Sequence, residues 1–212
     1  LVLKDRRPFF ICGLDITMLD RLNNFEYAFA QTFELERGYV PHSDADPETN
    51  DGITADTFRE ARRRGIVSGV EDLRDLTFEQ KKTIIRIMWW MEMRLGELND
   101  RDIAAELLDT GVNMGQGAAA LIAQKACNYL GDRLSEDGIL GEATLEALNR
   151  WSAKDKRALF VCLNGFQFMR YVAITAKKAG KRKFARGWTR RIQQYREETV
   201  IVTNSPAQVE KP

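Results

Sequence analysis

The feature that most constrains this chain is the helical spacing of its apolar residues, which runs through nearly its whole length. Leu22, Phe25, Phe29 and Phe33 recur at three- and four-residue steps, the repeat of one buried helix face. This predicts a long first helix from Asp15 or Thr17, stopped at Gly38, a residue suited to a left-handed C-terminal cap. Residues 38–53 are rich in Asp, Pro, Asn and Gly; they are too polar to bury and read as a long loop with room for a short hairpin. A short second helix is expected from Thr54 or Asp56 to about Arg64, ended by Gly65. Thr77-Phe78-Glu79-Gln80 fits a capping box, with Gln80 reaching back to the Thr77 backbone. The helix it opens carries Ile84, Ile87, Met88, Met91 and Leu95 on one stripe. Further helices are expected near 100–110, 116–130, 142–149, 154–177 and 183–198, the last two joined at Gly180. The tail from Thr199 is expected to fray. No β alternation of useful length interrupts them, so the expected class is all-α.

With 212 residues, 44% apolar and 30% charged, the chain can build one domain with a substantial core, or two small ones. Uninterrupted apolar runs are short, so no transmembrane segment is expected. Residues 8–14, after Lys4, Arg6 and Arg7, lack the length and cleavage site of a signal peptide, and no export signal is read. Cys12, Cys127 and Cys162 are odd in number and far apart, as expected of buried or free thiols made in a reducing compartment. His42 is the only histidine. That argues against a Ser-His-Asp triad or a His-rich metal site and leaves the chemistry to carboxylates, with no cofactor or metal implied.

Charge is unevenly placed. Residues 1–149 hold 17 Lys and Arg against 27 Asp and Glu, while residues 150–198 hold 14 against 3. The two parts attract each other within one fold, or the basic end meets an anionic partner. Lys177, Lys178, Lys181, Arg182, Lys183, Arg186, Arg190 and Arg191 read as a solvated helix face suited to phosphate-bearing envelope polymers or lipid headgroups. No nucleic-acid recognition motif accompanies them, and no nucleic acid is expected.

One carboxylate stands out by geometry. At about 100° per residue, Glu36 falls within about 20° of Phe25 and Phe29, whereas Glu34 points to the opposite side. Glu36 is therefore expected at the end of a buried face, opening onto the polar loop. Partial burial and the negative end of the helix dipole both raise a carboxyl pKa, as a proton donor near neutral pH requires. A carboxylate that bends to solvent or pairs with Arg37 satisfies the same spacing.

Glu36-Arg37-Gly38-Tyr39-Val40, followed by Asp44, Asp46-Pro47-Glu48-Thr49-Asn50 and Gly52-Ile53-Thr54, resembles the opening of the glycoside hydrolase family 108 lysozymes. These are phage-type N-acetylmuramidases, also known as secretion activators. Trp89-Trp90 stands where the family has a Tyr-Trp pair. Residues 109–115 (Asp-Thr-Gly-Val-Asn-Met-Gly) resemble its second signature, and Phe184, Gly187, Trp188 and Arg191 its closing one. Leu121, Gln124, Leu130 and residues 137–145 resemble the helical peptidoglycan-binding domain that follows the catalytic part. Arg37, Glu48 and Asp51 depart from the family pattern, placing two added acidic groups near Glu36.

The resemblance implies a lysozyme-like helical catalytic region over residues 15–110, a helical peptidoglycan-binding-like region over 111–198, and a tail over 199–212. It implies hydrolysis of the β-1,4 bond between N-acetylmuramic acid and N-acetylglucosamine, with Glu36 as general acid and a second group to steady the sugar cation or activate water. Asp44 is the expected second group, ahead of Asp46, with Thr49 and Thr54 beyond it; each also fits a loop-capping role. Trp90 offers a stacking face to a sugar, although tryptophans at helical spacing are often core. Asn113, expected between two helices, fits an acetamido hydrogen bond or a helix cap. The expected partner is the peptidoglycan glycan strand, reached by an endolysin made in the cytoplasm and acting on the wall in the periplasm. A lytic transglycosylase and a non-catalytic peptidoglycan-binding protein that assists secretion are the alternatives.

Overall fold

In the computed structural model, residues 16–35, 39–41 and 48–192 are described. Helix α1 (Ile16–Leu35) leads into a three-stranded antiparallel sheet of β1 (Tyr39–Val40), β2 (Thr49–Asn50) and β3 (Ile53–Thr54). Then follow α2 (Ala55–Arg63), α3 (Phe78–Ile85), α4 (Arg101–Met114), α5 (Gln116–Tyr129), α6 (Glu142–Lys177) and α7 (Ala185–Thr189). The molecule is mostly helical, with the sheet placed where the polar loop leaves room for a short hairpin.

Local chemistry explains the boundaries. Thr54 caps α2 through its side chain, which accepts from the Thr57 amide, and Gly65 takes a φ of 70° just beyond the end. Thr77 and Gln80 form the expected reciprocal capping box on α3. Asp100 caps α4 by accepting from the amides of Asp102 and Ile103. Helix α4 runs past the expected end near residue 110 to Met114, with Gly111 inside it where Met93 and Trp89 leave no room for a side chain. A Cβ there would sit 2.8 Å from the Met93 sulfur, and the Gly111 carbonyl accepts from the Trp89 indole at 3.0 Å. The expected break near residues 150–154 is a kink at Asp155 within α6 (φ −157°, ψ 79°), whose carboxylate caps the Ala158 amide.

Two expectations are corrected. The stripe of α3 does not continue to Met91: the helix passes into a π-type turn over Arg86–Met91, whose extra residue rotates everything after it. Met91 is thereby turned to solvent at 61% exposure, while Trp89, Trp90 and Met93 are buried. Among the described residues, the segment expected as one helix from residue 183 is also broken. Ala179–Phe184 is a 3-10 segment, α7 covers five residues, and residues 193–198 lie outside the described part.

α1 packs on α4, α4 on α5 and α5 on α6, so one continuous apolar core runs from Phe25 to Leu163. Lys156 of α6 bonds both Asp100 and Asp102 at the start of α4, and the Tyr27 hydroxyl donates to Asp102 at 2.6 Å. Burial and the Asp102 carboxylate push the Tyr27 hydroxyl up to about 12. Buried Gln124 holds the turn before α6: its amide donates to Asp137 and to the Ile139 carbonyl, and its oxygen accepts from the Gly138 amide. Cys127 and Cys162 are free thiols, and burial raises Cys127 to about 12.

Among the described residues one helix, α6, is long and apolar enough by length and composition to cross a membrane, with a mean hydropathy of 1.3 over an 18-residue window. Counting uninterrupted apolar runs overlooks this window, because Asn164, Gly165, Gln167 and Arg170 break it into short pieces.

Candidate functional site

The candidate site is framed by the end of α1 and the sheet. Phe25 and Phe29 are buried, Phe33 is half-buried, and Phe78 packs edge-on against Phe29 and Phe33 at ring separations of 5.5 and 5.8 Å. Thr32, one helical turn before Glu36, is fully buried and donates back to the Ala28 carbonyl. Glu36 and Asp44 themselves lie outside the described residues.

The sheet brings Thr49 and Thr54 together as directly paired residues on β2 and β3. The Thr54 hydroxyl is occupied by the Thr57 amide and hydroxyl as a helix cap. Between the strands, Asp51 (φ 47°) and Gly52 (φ 78°) make a two-residue turn with both residues left-handed, the geometry of a type I′ hairpin. Lys81 of α3 pins this turn, donating to Asn50 and to Asp51 at 2.7 Å each, while the buried Asn50 amide donates to the Leu73 carbonyl. Thus Asp51, which departs from the family pattern, has its charge met by a half-buried lysine from another element. No local signal reveals Lys81, which stands 30 residues away. Lys81→Met is expected to destabilise the fold by about 1–2 kcal/mol through loss of two charge-assisted hydrogen bonds. Thermal denaturation checks this, and in an Asp51→Asn background the cost of Lys81→Met is expected to shrink.

Trp90 offers no open stacking face. It is 7% exposed, with its ring 5.4 Å from Phe25 in an edge-on contact and its indole against Gly96. Asn113 lies in the last turn of α4 rather than in a loop, and its side-chain oxygen accepts from the Tyr171 hydroxyl at 2.8 Å.

That bond belongs to a polar seam between α4 and α6 that sequence reasoning missed. Thr110 accepts from Gln167 at 3.0 Å, Asn113 from Tyr171, and buried Asp109 is ion-paired to Arg191. Arg191 is therefore no part of a solvated face. Trp188 stacks on Tyr171 at 5.0 Å and lies 5.9 Å from Phe184. The second and closing motifs, some 80 residues apart, are two sides of one buried joint.

Glu106 lies in the same seam and is 1% exposed. Burial, reinforced by the Asp109 charge and only partly offset by Asn164, raises its pKa to about 8. The folded state then holds a proton that the unfolded chain has lost above about pH 4.5. Stability should fall as pH rises between those two values. Melting temperatures at pH 5 and pH 8 are expected to show this drop, and Glu106→Gln to reduce it.

Among the described residues, no group of three or more His, Cys, Asp or Glu is placed to hold a metal ion. The geometry defines a mostly helical, lysozyme-like fold whose first helix ends beside a small sheet. Residues 29–115 match the family model for glycosyl hydrolase 108, and residues 118–193 match that for a predicted peptidoglycan domain. Residues 29–115 are thus a glycosyl hydrolase 108 region, and a predicted peptidoglycan domain follows it along the chain. Among solved structures it is similar to that of Brucella abortus SagA, at 26% identity and a TM-score of 0.63, covering 81% of this chain and 90% of that one. No curated protein gives a match.

Proposed function

We propose that this protein is an N-acetylmuramidase of endolysin type, cleaving the β-1,4 bond between N-acetylmuramic acid and N-acetylglucosamine with Glu36 as general acid. The observation that carries the reading is the coincidence of the hydrolase-family match with the frame around Glu36. The match spans that residue, the described helix stops one position before it, and the sheet begins three positions after it. Thr32, one turn earlier in α1, is fully buried, and a general acid must stay protonated near neutral pH to donate. Asp44, in the segment between β1 and β2, is the second group, placing water or steadying the sugar cation as the bond breaks. Thr49 and Thr54 line the same side of the frame. Residues 15–110 form the catalytic region and residues 111–198 the wall-binding region, held to it by the seam through Asp109 and Arg191.

The protein is made in the cytoplasm and acts on the wall. Its basic C-terminal segment adds attraction to anionic envelope polymers. The test is the turbidity of purified peptidoglycan: the native protein is expected to clear it. Binding to the wall without clearing any wall type would replace this reading with a non-catalytic binding protein.

A further inference from the structure

The second half of α6 leaves a stripe of apolar side chains uncovered. Val161, Phe168, Met169 and Val172 are 54, 44, 64 and 51% exposed. Positions 161, 165, 168, 172 and 176 follow one another at four- and three-residue steps, so Val161, Gly165, Phe168, Val172 and Ala176 share one line along the helix. That line is about 22 Å long at the rise of an α-helix. Between residues 158 and 176 the one charged residue is Arg170, which helical geometry puts about 180° from Val161. An exposed apolar strip of this extent marks a contact surface.

Helix α6 is not free to cross a bilayer in this fold. Its other face sends Gln167 and Tyr171 into the seam with α4 and packs Leu159 and Leu163 into the core. The stripe can therefore meet a partner only side-on.

The chemistry at the end of the stripe says which partner. It runs directly into Lys177 and Lys178, and Arg182, Lys183, Arg186 and Arg190 follow on the segment that folds back against α6 with Trp188 on Tyr171; all six are exposed, and no acidic residue occurs between Lys156 and Ile192. Phe184 and Trp188, both half-buried, sit among these cations, with Lys181 and Lys183 over the Phe184 ring. A polyanion in water would need the cations but not the stripe. A second copy packed parallel would bring the same positive charge to the same edge, and one packed antiparallel would cover the stripe while leaving the cations without a partner. A surface that is anionic outside and apolar just beneath satisfies both, and aromatic rings favour its boundary. We propose that the exposed face of α6 and its basic C-terminal turn dock the protein side-on onto an anionic phospholipid bilayer.

Co-sedimentation of the full chain with vesicles tests this. The native protein is expected to sediment with vesicles of phosphatidylcholine mixed with phosphatidylglycerol and to stay in solution with phosphatidylcholine alone. Lys177→Gln, Lys178→Gln and Arg182→Gln together should weaken partitioning about a hundredfold, roughly fivefold for each cation. Phe168→Ser, Met169→Gln and Val172→Ser together should keep the native melting temperature, since these side chains are exposed, and should also lose vesicle binding. Three results would overturn the proposal. One is failure of the native protein to bind the mixed vesicles. Another is full binding by the apolar triple variant, which reduces the contact to charge alone. The third is a native dimer that this variant converts to a monomer while vesicles go unbound, which gives the face to a second copy.

Discussion

Glu36→Gln is expected to abolish clearing of purified peptidoglycan while leaving sedimentation with the wall unchanged. A positioned general acid contributes on the order of a hundred- to ten-thousandfold in rate, and an amide of the same shape cannot donate its proton. Loss of at least a hundredfold with native melting temperature would fit Glu36 as that acid. Clearing retained by the variant would move the acid elsewhere. Binding should survive, because the predicted peptidoglycan domain begins at residue 118, far along the chain from Glu36.

The largest stability effect is expected at Arg191. Its guanidinium pairs with Asp109, and the two side chains are 8% and 1% exposed. Arg191→Ala would leave the buried Asp109 charge close to Glu106. Stranding one member of a buried pair costs about 3–5 kcal/mol, a fall of about 10 °C in melting temperature for a chain of this size. Calorimetry of the full chain measures it. Replacing both partners, as Arg191→Met with Asp109→Leu, should restore most of the loss, because no charge is then left buried. An unaltered melting temperature in Arg191→Ala would mean that the C-terminal segment is not held by this pair.

The long helices were legible because their information is local. Phe25 and Phe29 keep the helical repeat, and Thr54 and Thr77 cap the helices they precede by bonds only three residues long. The small sheet was half legible. Asp51-Gly52 is a hairpin signal of high specificity, but it is submerged in a loop whose polarity alone attracts notice. The turn of Arg86–Met91 was not legible, since a π-type widening has no residue code, and it carried Trp90 from a candidate sugar platform into the core. The seam was the largest omission. Asp109, Thr110, Asn113, Gln167 and Arg191 each look like a surface polar residue, and only the fold pairs them across 57 to 82 positions. Of the candidate site, the threonine pair could be located, whereas Glu36 and Asp44 rest on the family resemblance and on helical spacing.

The central claim is that this protein breaks a glycosidic bond by adding water. Mass spectrometry of the muropeptides released from purified peptidoglycan tests it most directly. Hydrolysis predicts fragments ending in reducing N-acetylmuramic acid, with the mass of one water added per bond cut. Fragments ending in a 1,6-anhydro sugar would make the protein a lytic transglycosylase, and no released fragments at all would contradict an enzymatic role.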